Sequence, residues 1–206
     1  MLPEPISDLA EKLRLFPSVG HRSSLKLALD TLSMPEEAFL GLVEAFQTIR
    51  SKVYFCSVCG FFCEVSDPNQ LCNICKNRQR NNRQICLVEK PTDVINVEKS
   101  AIYNGLYHVL GNLISPLDNI FPHQTTVAEL IERLKKSSTP IELILFFKAG
   151  FASEATTAYL RESIQQNNLT EKITMTRLAQ GLPLYYNPDT LDQATMAKAL
   201  EDRRLV

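Results

Sequence analysis

Six cysteines carry the clearest chemistry in this chain, and four of them fall into two pairs. Cys56-Ser57-Val58-Cys59 and Cys72-Asn73-Ile74-Cys75 are separated by twelve residues. Each C-x-x-C makes a tight turn that presents two sulfurs, and two such turns at this separation suit one tetrahedral thiolate site. Gly60 follows the first pair, where the turn needs positive φ and close backbone approach. Lys76 follows the second and offsets thiolate charge. With four protein ligands the site is closed, so the expectation is one structural Zn²⁺ per chain with no position for a reacting water. A loop of this size buries no core of its own, and metal binding supplies its folding energy. Disulfides and a redox pair are the alternatives. Disulfides are disfavoured where no export signal is present, and neither C-x-x-C reads as opening a helix after a strand. Cys63, between the pairs, could substitute as a ligand. Cys86, in the apolar run Ile85 to Val88, reads as a small buried hydrophobe.

A second chemistry is electrostatic. The net charge is −1, but Lys12 to Leu29 contains no acid and holds Lys12, Arg14, Arg22 and Lys26. Pro68 to Val88 is also acid-free and holds Lys76, Arg78, Arg80 and Arg83. Local patches of this kind attract polyanions within about a Debye length whatever the net charge. The first lies at Phe16-Pro17-Ser18-Val19-Gly20, a short hairpin that ends in glycine and enters a helix at His21. Backbone N–H groups and the helix dipole there point at an anion. Arg22 and Lys26, four apart, share a face. The plain alternative for both runs is a solvated helix face.

The elements that hold these groups follow from periodicity. Residues 6–50 read as helices: Ile6, Leu9 and Leu13 on one face of the first, Leu25, Ala28, Leu29 and Leu32 on one face of the second. A third opens at Glu36 and Glu37 after Pro35, with Phe39, Leu42, Val43, Phe46 and Ile49 inward. From Gln84 onward strands and helices alternate. Strands are expected at 85–88, 107–110, 141–147 and 172–178, and helices at 91–99, 127–135, 153–165 and 191–200. This order implies a mostly parallel sheet flanked by helices, and ligands on such sheets bind outside the carboxyl ends of the strands. Glu89 falls at such an end, with Asp93 following and Glu154 near the end of the third strand. The fold class is α+β in several parts: residues 1–53 helical, 54–83 a zinc module, 84–178 α/β, and 179–206 a closing segment that packs back on the assembly.

Composition excludes other classes. With 45% hydrophobic and 22% charged residues the chain is globular. No apolar run approaches the roughly 18 residues of a membrane span. Met1-Leu2-Pro3-Glu4-Pro5 lacks the basic flank of a secretory signal, so a cytoplasmic location is expected.

The order helical hairpin, four-cysteine module, α/β domain resembles the bacterial recombination mediator family RecR nearly end to end. The resemblance is carried by Leu15-Phe16-Pro17-Ser18-Val19-Gly20, the four knuckle cysteines and Gln84 to Val94. Tyr107 to Gly111, Ile114 to Asp118, Glu154-Ala155-Thr156, Arg177 to Pro183 and Ala199 to Arg204 complete it. It implies a helix-hairpin-helix, a zinc finger and a Toprim domain in a DNA clamp. Such clamps act with RecO and RecF to load recombinase onto gapped DNA, and assemble as a homotetrameric ring, a dimer of dimers. DNA contact carries over to Arg22 and Lys26, with His21 adjacent. Glu89, Asp93 and Glu154 carry over as a partner surface or a weak magnesium surface.

The chain departs from the family pattern at Ser18, where glycine is usual, at Ala152, where an acid is usual, and at Tyr185-Tyr186, where a glycine pair is usual. Two further functions compete with the clamp. A magnesium-dependent Toprim enzyme needs a glutamate and a D-x-D pair, and no D-x-D occurs in the sequence. A zinc-stabilised adaptor that bridges proteins would show no salt-dependent DNA affinity.

Overall fold

The computed structural model describes residues 2–64, 69–179, 182, 187 and 191–201. They form two compact units, Met1–Val53 and Tyr54–Val206. Tyr185, Tyr186 and the closing Asp202 to Arg204 lie outside the described residues.

The first unit contains helices α1 (Glu4–Leu13), α2 (His21–Ser33) and α3 (Glu36–Lys52). Prolines set their starts. Pro3 and Pro35 stand at the N-caps of α1 and α3, each followed by an acid that complements the positive helix end. The core of this unit is made of small side chains: Ala10 on α1, and Ser24 and Ala28 on α2, are its buried residues. The large apolar side chains do not follow the expectation. Leu29 and Leu32 are exposed, as are Phe39, Leu42, Val43, Phe46 and Ile49 on α3, which buries no residue at all. Periodicity identified the apolar face, but a unit of this size has no facing layer within it to cover that face.

The second unit is built on a four-stranded, all-parallel sheet. Its strands β3 (Asn81–Val88), β4 (Gly105–Val109), β5 (Ile141–Phe146) and β6 (Ile173–Arg177) are ordered β4-β3-β5-β6. Ahead of it come the two-stranded ribbon β1 (Val53–Phe55) and β2 (Phe62–Glu64) and the one-turn helix α4 (Asn73–Lys76). Helices α5 (Pro91–Lys99), α6 (Val127–Lys135) and α7 (Phe151–Gln166) connect the strands, and α8 (Gln193–Glu201) follows them.

Alternation along β3 divides the core. Ile85 and Leu87 join Leu143 and Leu145 of β5 in packing against Leu130, Ile131 and Leu134 of α6 and Leu160 and Ile164 of α7. Cys86 and Val88 point the other way, with Tyr107 and Val109 of β4, Val94 of α5 and the cysteines of the knuckles. The four-cysteine segment therefore covers one face of the sheet. A backbone hydrogen bond from Val109 N to Cys59 O, at 2.8 Å, stitches it to β4.

Candidate metal centre and nucleic-acid interface

The first knuckle follows β1. Cys56 and Cys59 enclose a turn closed by Gly60 N donating to Cys56 O at 2.9 Å, and Gly60 takes φ +73°. A Cβ there would lie 3.3 Å from the Cβ and the carbonyl oxygen of Val109, so the backbone conformation and the sheet both call for glycine. The second knuckle has no glycine. Cys72 instead caps α4, its Sγ accepting from Cys75 N at 3.4 Å, while Cys72 N donates to Cys56 Sγ at 3.4 Å. The second C-x-x-C opens a single helical turn, because an N-capping sulfur satisfies an otherwise orphaned N–H. That turn follows coil and not a strand.

The four Sγ atoms lie within 4.8 Å of one another, Cys59 and Cys72 at 3.6 Å. A metal–sulfur bond of about 2.3 Å gives a regular tetrahedron edges of about 3.8 Å, so the donor set fits one tetrahedral ion. Hydrogen bonding among the four sulfurs pulls the Cys56 thiol far down and pushes the Cys59 thiol far up, so without an ion the cluster shares its protons unequally. Cys63 is buried on β2 outside this group. Cys86 is buried in the sheet, and burial, with Asp93 adding, pushes its thiol up to about 12.

In the first unit, Val19 N donates to Phe16 O at 3.2 Å across Pro17 and Ser18, and Ser18 takes φ +67°. The departure at Ser18 leaves the turn in place, with serine in a conformation that favours glycine. Gly20 is the N-cap of α2, no side chain caps the helix and no acid lies in its first turn. Ser24 N is the first to find a helical acceptor, Gly20 O at 2.9 Å, so the N–H groups of His21, Arg22 and Ser23 face outward. The side chains of His21, Arg22 and Lys26 are exposed. Among the described residues neither Arg22 nor Lys26 enters an ion pair.

Not every expected cation is available. Arg80 is turned inward in an ion pair with Glu98, and Lys12 pairs with Asp8 one turn earlier. Sequence reasoning counted both as surface charge and gave Glu98 and Tyr107 no role, since nothing local marks a partner 18 residues away.

The acids of the α/β part stand apart from one another. Asp93 Oδ2 accepts from Lys90 N at 2.8 Å and so fixes the start of α5. Glu89 lies just past β3, 3.6 Å from Lys90 Nζ. Glu154, in the first turn of α7, takes two hydrogen bonds from Arg177 at the end of β6, 2.8 and 3.3 Å. That pair borders a cavity of about 260 Å³ at the carboxyl ends of β5 and β6, with Leu145, Phe147, Ser153 and Thr157. Among the described residues these carboxylates form no cluster resembling the cysteine site, and no helix is long and apolar enough to cross a membrane.

The Toprim domain family matches residues 83–179. The chain is 36% identical to recombination protein RecR of Bifidobacterium adolescentis over 201 residues, covering 98% of this chain and 96% of that one. It is 38% identical to recombination protein RecR of Staphylococcus aureus (strain JH9), covering 98% and 97% respectively.

Proposed function

Because this chain belongs to the RecR family of recombination proteins, we propose that it serves recombinational repair as a non-catalytic DNA clamp. The observation that carries the reading is the uncapped, acid-free start of α2, with exposed Arg22, Lys26 and His21 around it. Free N–H groups and cations in that arrangement contact phosphates and not base edges, so binding is independent of sequence. Zn²⁺ is the ion that best suits four thiolates in a closed tetrahedron. Its role is to hold the knuckles against the sheet, where the cysteines share a core with Val88 and Val109. It takes no part in chemistry.

In this reading the protein loads recombinase onto gapped DNA together with RecO and RecF, from a homotetrameric ring assembled as a dimer of dimers. The exposed apolar face of α3 is consistent with such assembly. Glu89, Asp93 and Glu154 belong to the surface that partners read. Only Glu89 lacks a fixed structural task there, so magnesium binding at these acids is weak at most.

The test is equilibrium binding to a gapped duplex across a salt series, with metal analysis of the same preparation. One zinc per chain is expected, with a steep loss of affinity as salt rises. Arg22→Glu/Lys26→Glu should weaken binding and flatten the slope, since each phosphate contact contributes about 0.9 to it. A wild-type protein that fails to bind at low salt would make the zinc-stabilised adaptor the better reading.

A further inference from the structure

The four knuckle cysteines are not equally accessible. Cys56, Cys59 and Cys72 are 4%, 1% and 2% exposed, whereas Cys75 is only half-buried. Cys56 and Cys59 share a core with Val88, Tyr107 and Val109 of the sheet. Cys75 stands in the one-turn helix α4, followed by exposed Lys76 and Asn77. Its C-x-x-C partner lies in the same turn: Cys75 N donates to Cys72 Sγ at 3.4 Å, and the two sulfurs lie within 4.8 Å. Side chains three apart on a helical turn are neighbours, and a Cα separation of about 4.4–6.8 Å admits a disulfide, so this pair can close within its turn. Metal binding makes thiolates of all four cysteines, and access then decides which is oxidised first. Oxidation is captured as a disulfide where a second thiol stands ready to resolve it.

The knuckles are also tied to the carboxyl end of the sheet. Val109 N donates to Cys59 O at 2.8 Å, and Val109 O accepts from Thr126 Oγ1 at 2.7 Å. Thr126 is the N-cap of α6, and its N–H donates to Leu110 O at 3.1 Å. We propose that Cys75 and Cys72 form a peroxide-sensitive pair whose closure releases the metal and loosens the end of β4 and the start of α6. The inference rests on the zinc reading above and extends it: the sulfurs that hold the fold also report oxidation. In the first step the Cys75 thiolate attacks hydrogen peroxide. The S–O bond forms, the O–O bond breaks and hydroxide leaves, giving a sulfenic acid. The Cys72 thiolate then attacks that sulfur, the S–S bond forms as the S–O bond breaks, and a second hydroxide leaves. Two protons turn the hydroxides into water, and two electrons pass from sulfur to peroxide. Cys56 and Cys59 remain as ligands, too few for a closed tetrahedral site. A dithiol reductant reopens the pair by thiol–disulfide exchange.

The test uses the full-length protein loaded with zinc. Hydrogen peroxide is titrated in while a chromogenic chelator reads released zinc, peptide mapping without reduction locates the disulfide, and hydrogen exchange is followed at Val109 and Thr126. One Cys72–Cys75 disulfide is expected for each zinc released, with faster exchange at both amides and recovery when a dithiol and zinc are added. Cys75→His keeps a full donor set, since three thiolates and an imidazole also make a structural zinc site, but it cannot form the disulfide. It should retain zinc through the same titration, while Cys63→Ser behaves as wild type. A first disulfide at Cys56–Cys59 or through Cys63 overturns the pair, as does zinc held until an equal concentration of free glutathione is oxidised. Zinc lost from Cys75→His as readily as from wild type has the same force. Release that leaves exchange at Val109 and Thr126 unchanged removes the switch. The disulfide map of wild type decides even where Cys75→His fails to fold. A wild type that takes up no zinc removes the zinc reading along with the proposal, whereas every other adverse result leaves that reading intact.

Discussion

Arg80 closes a two-pronged ion pair onto Glu98, Nη1 at 2.8 Å from Oε1 and Nη2 at 2.5 Å from Oε2, and the Tyr107 hydroxyl donates to the same Oε1 at 2.5 Å. Arg80 Nη1 also reaches Gly105 O at 3.3 Å. Three pieces of chain meet there: the turn leaving the second knuckle, the end of α5 and the start of β4. The pair fixes the chain leaving the four-cysteine segment to α5 and β4, a second tie beside the Val109–Cys59 backbone bond.

Replacing Arg80 by Met should therefore loosen the knuckles as well as the sheet. It leaves Glu98 with the tyrosine alone, and a charged hydrogen bond lost from a partly buried site costs about 1–3 kcal/mol. Hydrogen bonding to Arg80, and then to Tyr107, holds the Glu98 carboxyl below its usual 4.5. The contribution of a depressed carboxylate is complete above the unfolded value and is lost as pH falls through the lower folded value. Urea melts of wild type and Glu98→Gln should thus differ at neutral pH and converge in acid. A constant difference down to pH 3 would remove the ion pair as the cause.

Ser18 gives a prediction of the opposite sign. At φ +67° it sits at the third position of the Phe16–Val19 turn, where a Cβ costs about 1 kcal/mol relative to glycine. Ser18→Gly is expected to raise the unfolding free energy of the helical hairpin by about 0.5–1 kcal/mol, the strain relieved being partly offset by the greater freedom of glycine in the unfolded chain. Hydrogen exchange at Val19 and Ser24 reads this locally. Faster exchange there in the glycine variant would show that the serine is not strained.

How much of this was legible in the sequence varies with the physics of each part. Metal-ligand spacing is a local constraint, so Cys56, Cys59, Cys72, Cys75 and Gly60 could be read directly. Apolar runs located the buried strands, but β3 begins at Asn81, four residues before its run, because its polar start is paired by backbone with Gly105 and not by pattern. The apolar face of α3 is legible from periodicity but is exposed, not inward, since periodicity reports a face and not what covers it. Arg80 read as free charge for a related reason: its partner comes from another element. The acids at Asp93 and Glu154 looked alike in sequence, and only the fold shows one capping a helix and the other paired with Arg177.

His108 supplies the sharpest pH dependence. It is buried on β4, with Nε2 at 3.1 Å from Thr126 O and 3.0 Å from Thr126 Oγ1. Thr126 Oγ1 donates its own proton to Val109 O at 2.7 Å, so both threonine oxygens accept here and Nε2 must carry the hydrogen. Nδ1 is then a bare acceptor with no partner among the described residues. Protonation would place a charge in the core, and the backbone of Val58 compensates it only in part. Burial first, and then the charge of Arg133, lower the imidazole from 6.5 to about 4. In that interval the unfolded chain binds the proton and the folded chain does not, so folding stability rises with pH between them. A separation of that size is worth about 3 kcal/mol. Thermal melts of wild type should fall steeply between pH 6.5 and 4, and His108→Gln should fall less. If the two proteins share one pH profile, His108 does not govern acid stability.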